Sequence, residues 1–147
     1  MAFFFLIILV LLIVKMVKYY NIMKVYQNRL DEIQAEVGNI TSKMNILKVS
    51  MTQLLIQSTN YEKSIIQQIT SGFKNLIAVM NAFPNLNGNA AFIQNYQEME
   101  KLEVELQGCL NEYNATVKVY NDEVNTFPAM ILAFLFSFKK RNYAKRN

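Results

Sequence analysis

The feature that most constrains the fold is a series of apolar residues spaced alternately three and four positions apart. The series runs from Met23 to Leu54 without a miss, and this spacing places every member on one face of an α-helix. Sustained for about four and a half heptads, it predicts a long helix with a coiled-coil-like seam. The series weakens at 58–60 and resumes from Tyr61 to Phe83. The members predicted to contact other helices or other copies of the chain include Leu30, Ile33, Val37 and Ile40.

A second helical stretch follows the turn-forming sequence PNLNGN at 84–89. Every seventh residue from 92 onward is large and apolar. A second set of seam positions lies four residues after each of these, and Glu103 is the one acid among them. We expect Glu103 either to bond Gln67 or Gln68 across the hairpin or to face water in a loose oligomer. The helix should stop at Phe127, because the residue before a proline is disfavoured in the α region. The ladder consists of Phe92, Met99, Leu106, Tyr113, Tyr120 and Phe127.

The two stretches predict an antiparallel hairpin of unequal arms. At about 1.5 Å per residue, 15–82 would extend roughly 100 Å and 89–127 roughly 58 Å. The second helix would then cover only residues 45–83 and leave the seam 23–44 bare. Either the first stretch breaks, at Gly38 or at 58–60, and folds into a bundle, or other copies of the chain bury the bare seam. The unbroken spacing across Gly38 favours a continuous helix and an oligomer.

The chain starts with a continuous apolar run, AFFFLIILVLLIV at 2–14, followed by Lys15 and Lys18. A transmembrane helix needs about 17–25 apolar residues, which the run reaches through Val17 if Lys15 extends to the interface. A cleaved signal peptide would carry its positive charge before the apolar run. We therefore predict a retained anchor, with a short interfacial anchor as the alternative. The basic residues after it place the N-terminus outside and the body in the cytoplasm, by the positive-inside rule.

The C-terminal segment combines an apolar run with a basic cluster. AMILAFLFSF at 129–138 is too short to span a bilayer, and KKRNYAKRN follows it. This pairing predicts contact with anionic headgroups; the alternative is a helix packed on the bundle with a basic tail. The basic charge is concentrated near the membrane-proximal ends, so it gives no reason to expect nucleic-acid binding. The predicted membrane-surface residues are Lys139, Lys140, Arg141, Lys145 and Arg146.

Signatures of enzymes are lacking from the sequence. The chain has no His and one Cys, which removes His-based triads, His metal ligands and an internal disulfide. Cys109, next to the seam, is interpreted as a half-buried structural thiol. The glutamates of the second helix have no second acidic helix facing them, and we interpret them as a solvated face. We therefore expect no enzymatic activity, no cofactor and no metal.

The repeat YNATVKVYNDEVNTFP at 113–128 contains two asparagines that helical periodicity does not require. Asn114 and Asn121 flank the seam at positions where Lys or Glu is common. One hypothesis is a polar layer formed with the Tyr hydroxyls. The other is hydrogen bonding to Asn and Gln side chains of a facing helix.

In two motifs the sequence resembles the LemA family of membrane-anchored helical proteins. AFPNLNGNAAF at 82–92 is similar to the family's A-Y/F-P-x-L-x-x-N-x-x-F signature. The 113–128 repeat is similar to its Y-N-x-x-V-x-x-Y-N-x-x-I/V-x-x-F-P signature. The first half departs from the family pattern, since EVGNITSKMNILKVSMTQLLIQ at 36–57 lacks its Trp, its basic pair and its Pro. The resemblance implies a non-enzymatic four-helix bundle behind an N-terminal anchor, with links to membrane organisation and to membrane proteases.

Together these observations predict an all-α protein. Its parts are a transmembrane anchor at 1–17, an antiparallel helical hairpin or bundle at 18–128 and a membrane-proximal tail at 129–147, with oligomerisation completing the fold. The expected function is a self-assembling scaffold at the cytoplasmic face of a membrane, with membrane lipid and a second copy as partners. One alternative is an adaptor for a membrane protease or another membrane complex. Another is an outward-facing, spanin-like coiled coil, which labelling of the hairpin tip in intact cells would distinguish.

Overall fold

A computed structural model of the chain describes residues 2–58 and 89–145. Within these residues the regular structure is helical: α1 spans Ala2–Ser58, α2 spans Ala90–Asn125 and α3 spans Ala129–Leu135. The prediction of an all-helical chain with a long apolar N-terminal helix is therefore confirmed for this part. Of the predicted break at 58–60, Ser58 is the last residue of α1 and residues 59 and 60 lie outside the described residues. The seam 61–83, the residues expected opposite Glu103 and all of the 84–89 turn except Asn89 also lie outside them.

Helix α1 continues through Gly38 without interruption. A Cβ added at Gly38 would meet nothing within 4 Å, so among 2–58 and 89–145 no close approach of another element explains the glycine. Of the two positions at which a break was considered, this one is thereby excluded. The steady three-four spacing on both sides of Gly38 accounts for the continuity, because it keeps one apolar face in phase and offsets the helix-weakening effect of a single glycine.

Helix α2 begins at a side-chain cap. Asn89 Oδ1 accepts a hydrogen bond from the Phe92 amide at 3.1 Å, and the Asn89 carbonyl accepts from the Ile93 amide at 3.1 Å. This is the N-cap arrangement that satisfies amides in the first helical turn. The helix ends at Asn125, two residues before the predicted stop.

The chain divides into two compact units, one comprising 1–37 with 108–147 and the other 38–107. In the first unit, residues from α1, α2 and the C-terminal segment form one apolar core. Its buried members are Met23, Leu30, Val117, Tyr120, Val124, Ala133 and Phe138, with Tyr20, Tyr26 and Tyr113 packed against them. In the second unit, the seam residues Ile40, Met44, Met51, Phe92 and Met99 are buried, and Asn95 Nδ2 donates to Ser50 Oγ at 2.9 Å.

The expectation of a bare seam at 23–44 is wrong. Met23, Leu30 and Ile33 are completely buried within the single chain. Residues 113–124 of α2 and the segment after it pack against 20–30 of α1 and cover Met23 and Leu30. The hairpin register inferred from the 84–89 turn, which placed α2 against 45–83, is wrong for the same reason. The need for a second copy to cover this seam therefore disappears.

The segment after α3 turns back through a Schellman-type cap. Ser137 takes the left-handed conformation, with φ 57°, and the Phe138 amide donates to the Ala133 carbonyl at 2.9 Å. This is the hydrogen bond that closes a helix whose next residue is left-handed. Phe138 is thereby buried in the first unit's core, and residues 139–145 leave it without regular secondary structure.

Candidate functional site

The two asparagines of the repeat hold the backbone of the C-terminal tail. Asn121 Nδ2 donates to the Arg141 carbonyl at 2.9 Å, and Asn121 Oδ1 accepts from the Arg141 amide at 2.9 Å. Asn114 makes the same pair with Ala144, at 3.2 Å to its carbonyl and 2.8 Å from its amide. Each asparagine side chain thus hydrogen-bonds both the amide and the carbonyl of one tail residue. We call Asn114 and Asn121 the asparagine ladder.

The spacing of the ladder matches an extended chain. Seven residues of α-helix rise about 10.5 Å at 1.5 Å each, and three residues of extended chain in the polyproline II conformation cover about 9 Å at 3.1 Å each and return to the same side of the chain. Asn114 and Asn121 are seven apart on α2, and Arg141 and Ala144 are three apart on the tail. An α-helix with Asn at this spacing therefore presents paired donors and acceptors at the repeat of an extended backbone.

One salt bridge fixes a side chain of the tail beside the ladder. Arg141 Nη2 lies 2.9 Å from Asp31 Oδ1 on α1. A second salt bridge joins α1 to α2, since Arg29 contacts Glu112 through Nε at 2.9 Å and also through Nη2. This hydrogen bonding to Glu112, followed by that to Glu32, raises the pKa of Arg29 above its ordinary value. Arg29 therefore stays charged at any working pH, and added salt is the variable that weakens this exposed pair.

A cluster of apolar side chains lies where the N-terminal apolar run ends. The Tyr20 ring is 4.9 Å from the Phe136 ring and 5.7 Å from the Phe138 ring, measured between centroids. Ile13, Met16 and Val17 line an apolar cleft together with Tyr20, Leu132 and Phe136. Lys24 Nζ lies 5.6 Å from the centre of the Phe138 ring, a cation–π distance. Helix α3 thus packs beside the last turns of the apolar run.

The apolar run itself is not covered by the other residues that the structure describes. Phe3 to Val14 are all exposed, and the most apolar stretch of α1 has a mean hydropathy of 2.3 with none of its side chains buried. Among the described residues, α1 is the one helix whose length and composition suit a membrane span. The N-terminal helix is therefore compatible with the predicted membrane anchor.

Comparison with family models decides the family. The model described as the LemA family matches residues 12–147, which is nearly the whole chain. The chain belongs to the LemA family. The resemblance seen in the two sequence signatures is thereby confirmed. Searches of curated proteins and of solved structures gave no match to this LemA chain.

The predicted seam residues of the LemA chain fall into three groups. Leu30, Ile33, Ile40, Phe92 and Tyr120 are buried, whereas Val37 and Tyr113 are half-buried. Phe127 is 74% exposed, so its expected packing in the seam is wrong within the chain. The physical reason is that α2 ends at Asn125, and a residue two positions further on no longer lies on the helical face.

Glu103 is not part of the seam. Its side chain is exposed and Leu102 is buried one position earlier. Burying an ionised carboxylate is costly, and a neighbouring leucine can take the core-facing position at a small rotation of the helix. The same rotation of the helix buries Cys109, which was expected to be half-buried. Leu110, the expected seam residue, is only partly buried. The glutamates interpreted as a solvated face are exposed: Glu98, Glu100, Glu105 and Glu112.

The predicted membrane-surface cations are not equivalent. Lys139, Lys140 and Lys145 are exposed, and Arg146 lies outside the described residues. Arg141 is engaged with Asp31 and the ladder, and its assignment as a headgroup ligand stays a prediction. The asparagine hypotheses are corrected, since both residues bond tail backbone instead of Tyr hydroxyls or a facing helix.

Sequence reasoning missed Gln27, Asp31 and the tail residue Ala144 as partners in this unit. Gln27 Nε2 donates to the Tyr120 hydroxyl at 3.3 Å, and Asp31 binds Arg141. The available signal was the ladder spacing itself: a seven-residue Asn repeat matches a three-residue step of an extended chain. Applied to the tail, this spacing predicts that two positions three residues apart are bound, but it does not predict which two.

Proposed function

We propose that this LemA-family protein is a non-enzymatic, membrane-anchored scaffold that assembles with itself at the cytoplasmic face of a membrane and organises or shapes that membrane. The observation that carries the proposal is the exposed apolar segment from Phe3 to Val14. An uncovered apolar surface of this size is typical of a membrane or partner contact. The excess of Lys and Arg directly after the anchor supports the cytoplasmic orientation.

An antiparallel arrangement of the two long helices is part of the proposal. Its support is the order of the contacts in the first unit, where Gln27 bonds Tyr120 and Arg29 bonds Glu112. The chain that leaves the membrane in α1 would then return toward it in α2. That return would bring α3 and the basic tail to the membrane surface.

Helix α3 would be the second membrane contact. Its buried residues are Ala129, Leu132 and Ala133, while its other side chains are exposed and apolar. Phe134 is 86% exposed, and the exposed Lys139 and Lys140 follow shortly after. An apolar face next to lysines suits the boundary between acyl chains and anionic headgroups. The exposed apolar residues are Phe127, Met130, Ile131, Phe134, Leu135 and Phe136.

A tryptophan probe tests this contact, because the chain contains no Trp of its own. With Phe134→Trp in vesicles containing anionic lipid, we expect a blue-shifted emission and strong quenching by brominated acyl chains. Val104→Trp is the matched control: Val104 is 75% exposed on α2 and should emit as a water-exposed indole. Equal quenching of the two variants, or no quenching of the Phe134→Trp variant, would contradict insertion of α3.

Self-assembly is proposed to use the uncovered face of α1 next to the anchor. Val14, Val17, Asn21 and Val25 recur at three- and four-residue spacing and are exposed. They line a cleft of about 560 Å³ together with Lys18, Ile22 and Tyr26. This spacing suits a helix–helix seam with a second copy, in which a single polar Asn sets the register.

Charge introduced into this face tests the assembly. Val25 is 65% exposed, so Val25→Lys should leave the fold intact. We expect it to reduce cross-linked dimers and higher species in lipid at least tenfold, because a lysine pair would have to be buried between the copies. Val104→Lys is the control and should cross-link as the wild type does. A wild-type protein that remains monomeric in lipid would reject the scaffold proposal.

An adaptor for a membrane complex is the second candidate function. The observation in its favour is the asparagine ladder, whose geometry suits an extended peptide from any source. Affinity purification from membranes of the source cell, compared between wild type and an Asn114→Ala, Asn121→Ala variant, tests it. Recovery of the protein alone in both cases would count against an adaptor.

A further inference from the structure

We propose that the asparagine ladder is an exchangeable binding site that also takes the extended tail of a second copy of this chain, recognised by an arginine followed three residues later by a small residue. The chain's own tail occupies this site in cis through Arg141 and Ala144. This goes beyond a scaffold role, and it rests on contacts within one unit, so it does not depend on the face of α1 that is proposed for self-assembly. Four observations carry it.

The ladder contacts backbone atoms alone. All four of its hydrogen bonds go to the amide or carbonyl of Arg141 or Ala144. Such contacts recognise an extended backbone and not a side chain, as main-chain hydrogen bonds do in peptide recognition. Any extended segment with amides at both positions satisfies them, and proline at either position does not.

Asp31 supplies the side-chain selectivity. Its carboxylate lies 2.9 Å from Arg141 Nη2, and the arginine side chain is 34% exposed. Asp31 itself is 60% exposed, and its preference for arginine rests on the guanidinium, which is more weakly hydrated than an ammonium and presents planar donors to a carboxylate. The ligand class is therefore an extended basic peptide with Arg at the position whose backbone Asn121 binds. Ala144 is half-buried, which favours a small residue at the position whose backbone Asn114 binds.

The resident tail is held by polar contacts and not by apolar burial. Asn142, Tyr143 and Lys145 are exposed, and the last buried residue before them is Phe138. Each neutral hydrogen bond contributes little net free energy, because water competes for the same groups. The tail beyond Phe138 can therefore leave the site while the core keeps its packing.

The site is also open to solvent on one side. A cleft of about 240 Å³ lies beside the docked tail, lined by Gln34, Val37, Leu110 and Tyr113 from the helices. An incoming peptide can meet this side while the tail is released. The tethered tail competes at an effective concentration on the order of millimolar, so a free peptide should bind the wild type weakly.

The experiment opens the site in the full chain. Arg141→Pro with Ala144→Pro removes both amides that donate to the ladder and frees Asp31. The probe is a fluorescein-labelled peptide of residues 139–147, KKRNYAKRN, added to protein in a zwitterionic detergent without anionic lipid. By fluorescence anisotropy, we expect the opened variant to bind the peptide at least tenfold more tightly than the wild type. Adding Asn114→Ala and Asn121→Ala to the opened variant should abolish that gain.

Two controls separate the ladder from charge attraction and misfolding. Asn142→Pro places a proline in the same segment without removing a ladder donor, and it should bind as weakly as the wild type. Arg141→Glu keeps the backbone but repels Asp31, and it should give a smaller gain. Circular dichroism should show unchanged helix content in every variant.

Four results would overturn the proposal. The first is equal binding to the wild type and the opened variant. The second is binding that survives loss of both asparagines. The third is equal binding of a scrambled peptide of the same charge. The fourth is no binding to an opened variant that keeps its helix content.

Discussion

Tyr120→Ala is expected to lower the free energy of unfolding by about 3–5 kcal/mol, the cost typical of removing a buried aromatic ring. Tyr120 is completely buried and is among the largest such side chains in the described residues. Its ring packs in the core that joins Met23 and Leu30 of α1 to Val117 and Val124 of α2. Loss of the ring would leave a cavity at the centre of the first unit.

The hydroxyl of Tyr120 is expected to matter much less than its ring. It accepts one hydrogen bond, from Gln27 Nε2 at 3.3 Å. Tyr120→Phe should therefore lower the free energy of unfolding by about 0.5–1.5 kcal/mol. Urea titration in detergent, followed by far-ultraviolet circular dichroism, measures both variants under one condition.

Phe127→Ala is the matched control, because Phe127 belongs to the same seven-residue ladder in the sequence. Its ring is 74% exposed, so the substitution should change the free energy of unfolding in detergent by no more than about 0.5 kcal/mol. If Phe127→Ala were as destabilising as Tyr120→Ala, Phe127 would pack with the rest of the apolar seven-residue series. The buried seam would then continue past Asn125, the last residue of α2.

These residues show how far periodicity predicts the fold. The three-four spacing identified the buried face of α1 correctly at Met23, Leu30, Ile33 and Ile40. It did not predict what covers that face, because any helix with a complementary stripe satisfies the pattern. The register was instead inferred from the 84–89 turn, and that inference placed Tyr120 opposite the wrong part of α1.

The candidate site was the less predictable part. The sequence selected Asn114 and Asn121 as residues that helical packing does not explain, and this remained correct. Their partners belong to a tail without a periodicity of its own, docked through backbone atoms that every residue possesses. Sequence patterns describe side chains. At a site where side chains bind backbone atoms, the sequence can therefore indicate the binding side chains but not the residues whose backbone they bind.

Asn121→Ala is expected to accelerate hydrogen exchange of the Arg141 amide by about 30-fold. The substitution removes two hydrogen bonds, at 2.9 Å each, and a net contribution of about 1 kcal/mol per bond corresponds to that factor. Asn114→Ala should act similarly on the Ala144 amide. Because the two sites share one tail, loss of either is expected to loosen the other as well.

Asn125→Ala is the control for the asparagine substitutions. Asn125 is exposed on the same helix, and its Nδ2 donates to the Asn121 carbonyl at 2.8 Å rather than to the tail. Exchange at Arg141 and Ala144 should therefore be unchanged in this variant. Exchange measured by mass spectrometry after digestion resolves the tail peptide, and NMR resolves the two amides.

The double variant, Asn114→Ala with Asn121→Ala, separates tail docking from core stability. The core that contains Tyr120 and Phe138 includes no residue from 141–144, so the urea midpoint should move little while the tail amides lose their protection. Trypsin should then cleave after Lys140 and Arg141 faster than in the wild type. A large fall in the urea midpoint together with lost protection would instead mean that the asparagines support the core itself, and the tail would be a structural strap and not an exchangeable ligand.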